Sequence, residues 1–375
     1  LTPTAYNNGE ALCIKPDDAS GDFQFSRATE ATRINSLGLV ETIGINLPRI
    51  NYEGGCGSWL FEPQITNLFD YSEDLGQSYW NAYGAEVTRT FDATVANPTG
   101  NLGAYSVEGV SSARRFGVIQ TVTPSTDYTL SFYVKNIDAT FLRTLITNSS
   151  VSSYVFTSEV NTTNWSRIEI NFTSLTGTTC VFQITRDLPI GESAYFWGLM
   201  LEEQSFITSY IKTSGSTVTR NKDVCTNGGS LASINSTEGV LYAEISAFSG
   251  GNTDRQITIN DGTTSDRLSI ALLSNGTQIN FVVVSGGAVS VNKSVTIPTI
   301  TSGTKIAFAY KANDFKIYAN GVLIGSDTSG AVPIGLSNLS FDRGDGNDKF
   351  YGKTKAVAVW KEALTDSELQ SLTTI

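Results

Sequence analysis

The sequence contains no histidine, which excludes Ser-His-Asp and Cys-His nucleophile chemistry, most zinc sites and any imidazole-based pH switch. It is also poor in charge, at 16% against a usual share of about 25%, and holds a single methionine. Long hydrophobic runs are missing. The longest, such as Phe281 to Val284, fall far short of the ~20 apolar residues of a membrane helix, and the N-terminus lacks a basic-then-apolar signal layout, so membrane insertion is not expected. Basic runs are missing too: 25 Lys and Arg stand against 36 Asp and Glu, a net charge of −11, and nucleic acid is not expected as a partner. Cys13, Cys56, Cys180 and Cys225 form no CxxC pair, which leaves buried reduced thiols or a structural disulfide. The pairs Gly54-Gly55 and Gly286-Gly287 lie between strand-like stretches and open no helix, so phosphate cradling has no support.

What is present is turn chemistry and alternation. The 375 residues suffice for two or three domains, and 34 glycines with abundant Ser, Thr and Asn favour short strands over long helices. Residues 1–65 show neither an amphipathic helix nor sustained alternation and are expected to form an N-terminal extended arm or small β-subdomain. From about residue 66 the period is two. Tyr128-Thr-Leu-Ser-Phe-Tyr-Val134, Ser166-Arg-Ile-Glu-Ile-Asn-Phe172 and Cys180-Val-Phe-Gln-Ile-Thr185 each place apolar side chains on one face, predicting an antiparallel β-sandwich over 66–212. A Ser/Thr/Gly-rich linker is expected over 213–237 and a second sandwich over 238–375, making the protein all-β with two jelly-roll domains. Within the second, Asn320-Gly321 between apolar runs predicts a type I′ hairpin. Near the end, Thr365 and Glu368 form a capping-box pattern that predicts one short helix docking Leu364, Leu369 and Leu372.

Two stretches resemble known families. Phe25-Ser-Arg-Ala-Thr-Glu-Ala-Thr-Arg-Ile-Asn-Ser-Leu-Gly-Leu-Val40, Leu47-Pro-Arg-Ile-Asn-Tyr52, Leu60-Phe-Glu-Pro-Gln-Ile-Thr-Asn-Leu68 and Trp197-Gly-Leu-Met-Leu-Glu-Glu-Gln204 resemble the head-spike and tail-fibre proteins of tailed phages over roughly residues 22–225. In that family the middle module is similar to the carbohydrate-binding jelly rolls of polysaccharide-degrading enzymes. Residues 238–375 resemble a concanavalin A or laminin-G-like domain through Glu238-Gly-Val-Leu-Tyr-Ala-Glu244, the Ile317-Tyr-Ala-Asn-Gly-Val322 hairpin and the closing Trp360 with Ala363-Leu-Thr-Asp-Ser-Glu-Leu369. The resemblance implies fold, and ligands still have to be argued from sites.

Aromatic planes stack on the apolar faces of sugar rings, so Tyr79, Trp80 and Tyr83 form the candidate glycan platform; the alternative is that Trp80 plugs the sandwich core. Trp165 and Trp197 read as core or core edge, and Trp59 as an anchor for the next domain or another subunit. In the loop Asp342-Arg-Gly-Asp-Gly-Asn-Asp348, the side chains of Asp342, Asp345, Asn347 and Asp348 supply the hard oxygens that calcium prefers, beside the plainer reading of a solvated turn. No cofactor is required. An enzyme is not expected: no Glu-x-Asp-x-Glu strand lines up alternate acids, and Tyr242-Ala-Glu-Ile-Ser246 carries one.

The expected protein is a structural virion subunit, a fibre or spike that binds bacterial surface polysaccharide. By the same resemblance it would form a homotrimer, contact other virion proteins and sit on the virion surface. One rival is a decoration protein that binds no sugar, marked by a buried Trp80 and Tyr83. The other is a depolymerase, marked by a cleft with paired acids.

Overall fold

The alternating segments are strands in the computed structural model, which describes residues 3–7, 10–13, 23–82, 86–111, 115–248, 254–298 and 300–375. The protein is nearly all β, as the turn-rich composition implied, and Asp366–Thr373 is the one α-helix among the described residues. Two units divide the chain: residues 1–30, 43–63 and 222–375 in the first, and 31–42 with 64–221 in the second.

The first unit has a seven-stranded antiparallel sheet, ordered Val322–Asp327, Asp314–Ala319, Thr304–Lys311, Glu238–Ala247, Gly352–Trp360, Ser58–Phe61 and Ile50–Asn51. A five-stranded sheet, Ala288–Thr296, Gln278–Ser285, Arg267–Leu272, Arg255–Asn260 and Asn338–Ser340, completes it. Strand periodicity sorts the faces: Leu241, Ala243 and Ile245 join the same core as Ile257, Ile259, Leu268 and Ile270. Val240 and Tyr242, on the other face, are covered by Leu369 with Leu364 and Leu372 of the C-terminal helix region. That helix starts as its sequence predicts, with Thr365 Oγ1 accepting from Glu368 N at 3.4 Å and Thr365 N donating to Glu368 Oε2 at 2.8 Å. The Asn320-Gly321 turn has φ of 49° and 81°, the pair of left-handed residues that a type I′ hairpin needs. Trp59 is 5% exposed and belongs to the core of this unit, between Phe23 and Phe61, so it is an internal anchor and presents no ring to another subunit.

The second unit pairs a five-stranded sheet, Ser166–Thr173, Asp127–Asn136, Ser193–Glu202, Leu102–Gly109 and Val87–Ala96, with a four-stranded one, Phe116–Thr121, Thr179–Thr185, Arg143–Ile146 and Ser153–Val155. Phe132, Phe156, Phe182 and Phe196 fill the space between them. Trp197 packs outside that core with Tyr133, Tyr210 and Val40, where its ring lies 4.5 Å from that of Tyr210. Trp165 stands at the edge of this cluster, and its indole N–H donates to Ala96 O at 2.9 Å.

Candidate functional site

Trp80 does not belong to an exposed aromatic platform. The short 3₁₀ turn Ser78–Asn81 drives Trp80 into the core of the second unit, where it is 0% exposed and packs edge-on against Phe69, Tyr79 and Phe116. A ring without a solvent-facing side cannot stack on a sugar, so Trp80 is a core residue. Tyr79 is half-buried beside it, with its hydroxyl donating to Gln120 Oε1 at 3.3 Å. Tyr83 lies outside the described residues.

The loop expected to offer oxygens to calcium holds its own cation. Arg343 folds back over its own loop, with Nη2 2.6 Å from Asp345 Oδ2 and Nη1 3.3 Å from Asp348 Oδ2. Asn347 Nδ2 donates to Asp345 Oδ2 at 2.9 Å, while Asp342 is buried and accepts from Gly344 N at 2.7 Å. The guanidinium holds the Asp345 carboxyl well below the usual carboxylate range. It therefore occupies the charge-neutralising role a cation would take. Among the described residues, no group of three or more His, Cys, Asp or Glu side chains is placed to hold a metal ion.

A different site lies on the first unit. Outward positions of Glu238–Ala247 run Val240, Tyr242, Glu244 and Ser246, and the helix region covers the first two. Beyond it, a pocket of about 260 Å³ opens over Glu244, Ser246, Lys353, Lys355 and Ser58, with Glu53 and Cys56 of the 52–57 turn at its side. Each carboxylate there has an ammonium partner: Lys353 Nζ is 2.6 Å from Glu53 Oε2, and Lys355 Nζ is 3.7 Å from Glu244 Oε1. Ser246 Oγ donates to Thr301 O at 2.5 Å. Among the described residues no aromatic ring lines the pocket, which offers hydrogen-bonding and charged groups. Sequence reading reached only Glu244, as the single acid of its strand. Lys353 and Lys355, two apart on a strand and so on one face, are the signal of this pocket that the sequence carries. Glu53 had none, because its partner is 300 residues away.

Residues 221–370 match the Laminin_G_3 family model, the Concanavalin A-like lectin/glucanases superfamily. No curated protein matches the chain in sequence. Solved structures similar to parts of it include the CBM40 of the Ruminococcus gnavus IT-sialidase bound to α2,3-sialyllactose, at 17% identity over 37% of this chain and 84% of that one, with a TM-score of 0.33. Domain 4 of the Geobacillus stearothermophilus arabinanase AbnA, in complex with arabinotriose, is 14% identical over 46% of this chain and 84% of that one, with a TM-score of 0.34. A Bacillus licheniformis β-glucanase is 16% identical over 42% and 66%, with a TM-score of 0.28.

Proposed function

We propose that the protein binds glycans without cleaving them, as a fibre or spike subunit of a tailed-phage virion. The observation that carries glycan binding is the polar pocket of the first unit, in which Glu53, Glu244, Lys353, Lys355, Ser58 and Ser246 alternate donors and acceptors on a sheet face the helix leaves open. Sugar hydroxyls both donate and accept, and that alternation suits them. The virion role rests on the resemblance of residues 22–225 to phage appendage proteins. In this reading the subunit is a homotrimer on the virion surface, held among other virion proteins and turned toward bacterial surface polysaccharide. Repeated copies on one particle raise avidity by ~10²–10⁴ over one weak site.

Two observations favour rivals. The burial of Trp80 suits a decoration protein that binds no sugar. Glu53 and Glu244 in one pocket suit a depolymerase, which needs two carboxylates ~5–10 Å apart, although each is committed here to a lysine. One experiment separates the three: incubate the native oligomer with purified capsular and O-antigen polysaccharides, then measure both binding and chain length. Binding with unchanged chain length is expected. Shortened chains would establish the depolymerase, and absence of binding would establish the decoration protein.

A further inference from the structure

The inner face of the second unit's five-stranded sheet carries side chains past the rim of the core. Along Val87–Ala96, Val87 lies in the core, Arg89 holds its guanidinium 5.5 Å above the Phe116 ring at the core's edge, and Phe91 is 56% exposed. The neighbouring strand mirrors this order, with Val107 in the core, Tyr105 packed partly against it and Gly103 outermost. Tyr105 pairs with Phe91 in register, and their rings sit 5.4 Å apart at 60°.

Gly103 makes room for the Phe91 ring. It sits at a break in register with φ of 120°, and a Cβ there would come within 2.7 Å of Phe91 Cζ. The tip of the Phe91 ring thus occupies the space a side chain at 103 would need, while the residue as a whole stays more than half exposed.

Polar groups gather on the two neighbours of Phe91. The turn between the fully buried Leu75 and Trp80 brings Asp74 to Tyr105, with Gln77 bonded to Asp74, and Asn81 to Arg89. Asp74 accepts from Tyr105 Oη at 2.6 Å, Gln77 Nε2 at 2.6 Å and Gly76 N at 3.0 Å. Burial alone would raise its pKa, but those bonds outweigh burial and hold the carboxyl below the ordinary range. Arg89 Nη2 donates to Asn81 Oδ1. An exposed aromatic ring whose packed neighbour Tyr105 holds a fixed carboxylate, with a guanidinium two residues along its own strand and an amide bonded to each, suits a pyranose ring, which is apolar across one face and hydroxylated around its edge.

We infer that Phe91, with Asp74, Gln77, Asn81 and Arg89, forms a second saccharide-binding site that takes a neutral, hydroxyl-rich pyranose unit of a polysaccharide. This rests on the glycan reading above but uses none of the pocket residues.

The test uses the full chain as its native oligomer on an array of purified capsular and O-antigen polysaccharides. The proteins compared are the unaltered one, a Glu244→Gln/Lys353→Met protein with the first pocket disabled, and that protein with Phe91→Leu, Phe91→Trp or Asp74→Asn added. Leucine still covers Gly103 but lacks the aromatic plane. The pocket-disabled protein is expected to bind more weakly than the unaltered one but still measurably, to lose about tenfold or more of that remainder with Phe91→Leu and with Asp74→Asn, and to retain it with Phe91→Trp. If the pocket-disabled protein binds nothing while the unaltered one binds, the second site is overturned and the first stands. If Phe91→Leu and Asp74→Asn both bind within about twofold of their parent, the second site is likewise overturned. If the unaltered protein binds no polysaccharide, both readings fall.

Discussion

Arg27 and Asp223, 196 residues apart in the chain, form a fully buried ion pair, with Nη1 donating to Oδ1 at 3.1 Å. The other oxygen of Asp223 accepts from Arg49 and from the backbone N–H of Glu62 at 2.8 Å, and Arg49 also donates to Glu62 Oε2 at 2.7 Å. Arg27 further donates to the carbonyls of Thr29, Gly44 and Leu47. One carboxylate thus collects three separate stretches of the first unit. Removing it leaves two guanidiniums buried without their shared counter-charge. Asp223→Ala is predicted to cost about 3–5 kcal/mol, read by urea unfolding of the full chain, and a loss below about 1 kcal/mol would contradict the assignment.

Trp80→Ala should act on stability. It empties a fully buried site flanked by Phe69 and Phe116, so a loss of about 3–5 kcal/mol is expected in the second unit's unfolding transition. An unchanged melting curve would contradict its place in the core.

Glu202 makes the second unit's stability depend on pH. It is fully buried, and burial pushes its carboxyl up to about 7, against the opposing effects of the Thr208 hydroxyl bond and the nearby Arg167 and Arg220 charges. The folded pKa lies above the ordinary value of 4.5, so the folded state holds the proton more tightly. The resulting stabilisation is fully present below about pH 4.5 and is lost as pH rises through about 7. Its full extent is a few kcal/mol, at about 1.4 kcal/mol per pKa unit. Unfolding measured from pH 4 to 8 should show this fall, and Glu202→Gln should flatten it. An identical slope in the variant would refute the role of Glu202.

The 342–348 loop predicts a null response to metal. With Arg343 bonded to Asp345 and Asp348, adding calcium or chelator is expected to leave the melting temperature unchanged within about 2 °C. A calcium-dependent rise of several degrees would show that the arginine gives way to the ion.

Local features were legible and distant pairings were not. Alternation exposed strands such as Asp127–Asn136 and Thr304–Lys311, and the Asn320-Gly321 turn and the Thr365 cap each carry their signal within a few residues. Ser58–Phe61 pairs with Gly352–Trp360, and Val224–Thr226 with Gln24–Ser26, through contacts that leave no periodic mark in either segment. The same holds for the sites. An aromatic cluster in the sequence does not reveal which ring turns inward, and Trp80 did. Phe91, a lone aromatic in the mostly polar Thr88-Arg-Thr-Phe-Asp-Ala-Thr94, is the readable sign of a ring left in solvent.

The most direct test of the central claim is retention of the labelled native oligomer on bacterial cells that carry a surface polysaccharide the protein binds in purified form, against an isogenic strain lacking it. Retention that depends on the polysaccharide, and that falls when Glu244→Gln and Lys353→Met are introduced, is the predicted result. Equal retention on both strains, or none on either, would contradict glycan recognition as the function of this protein.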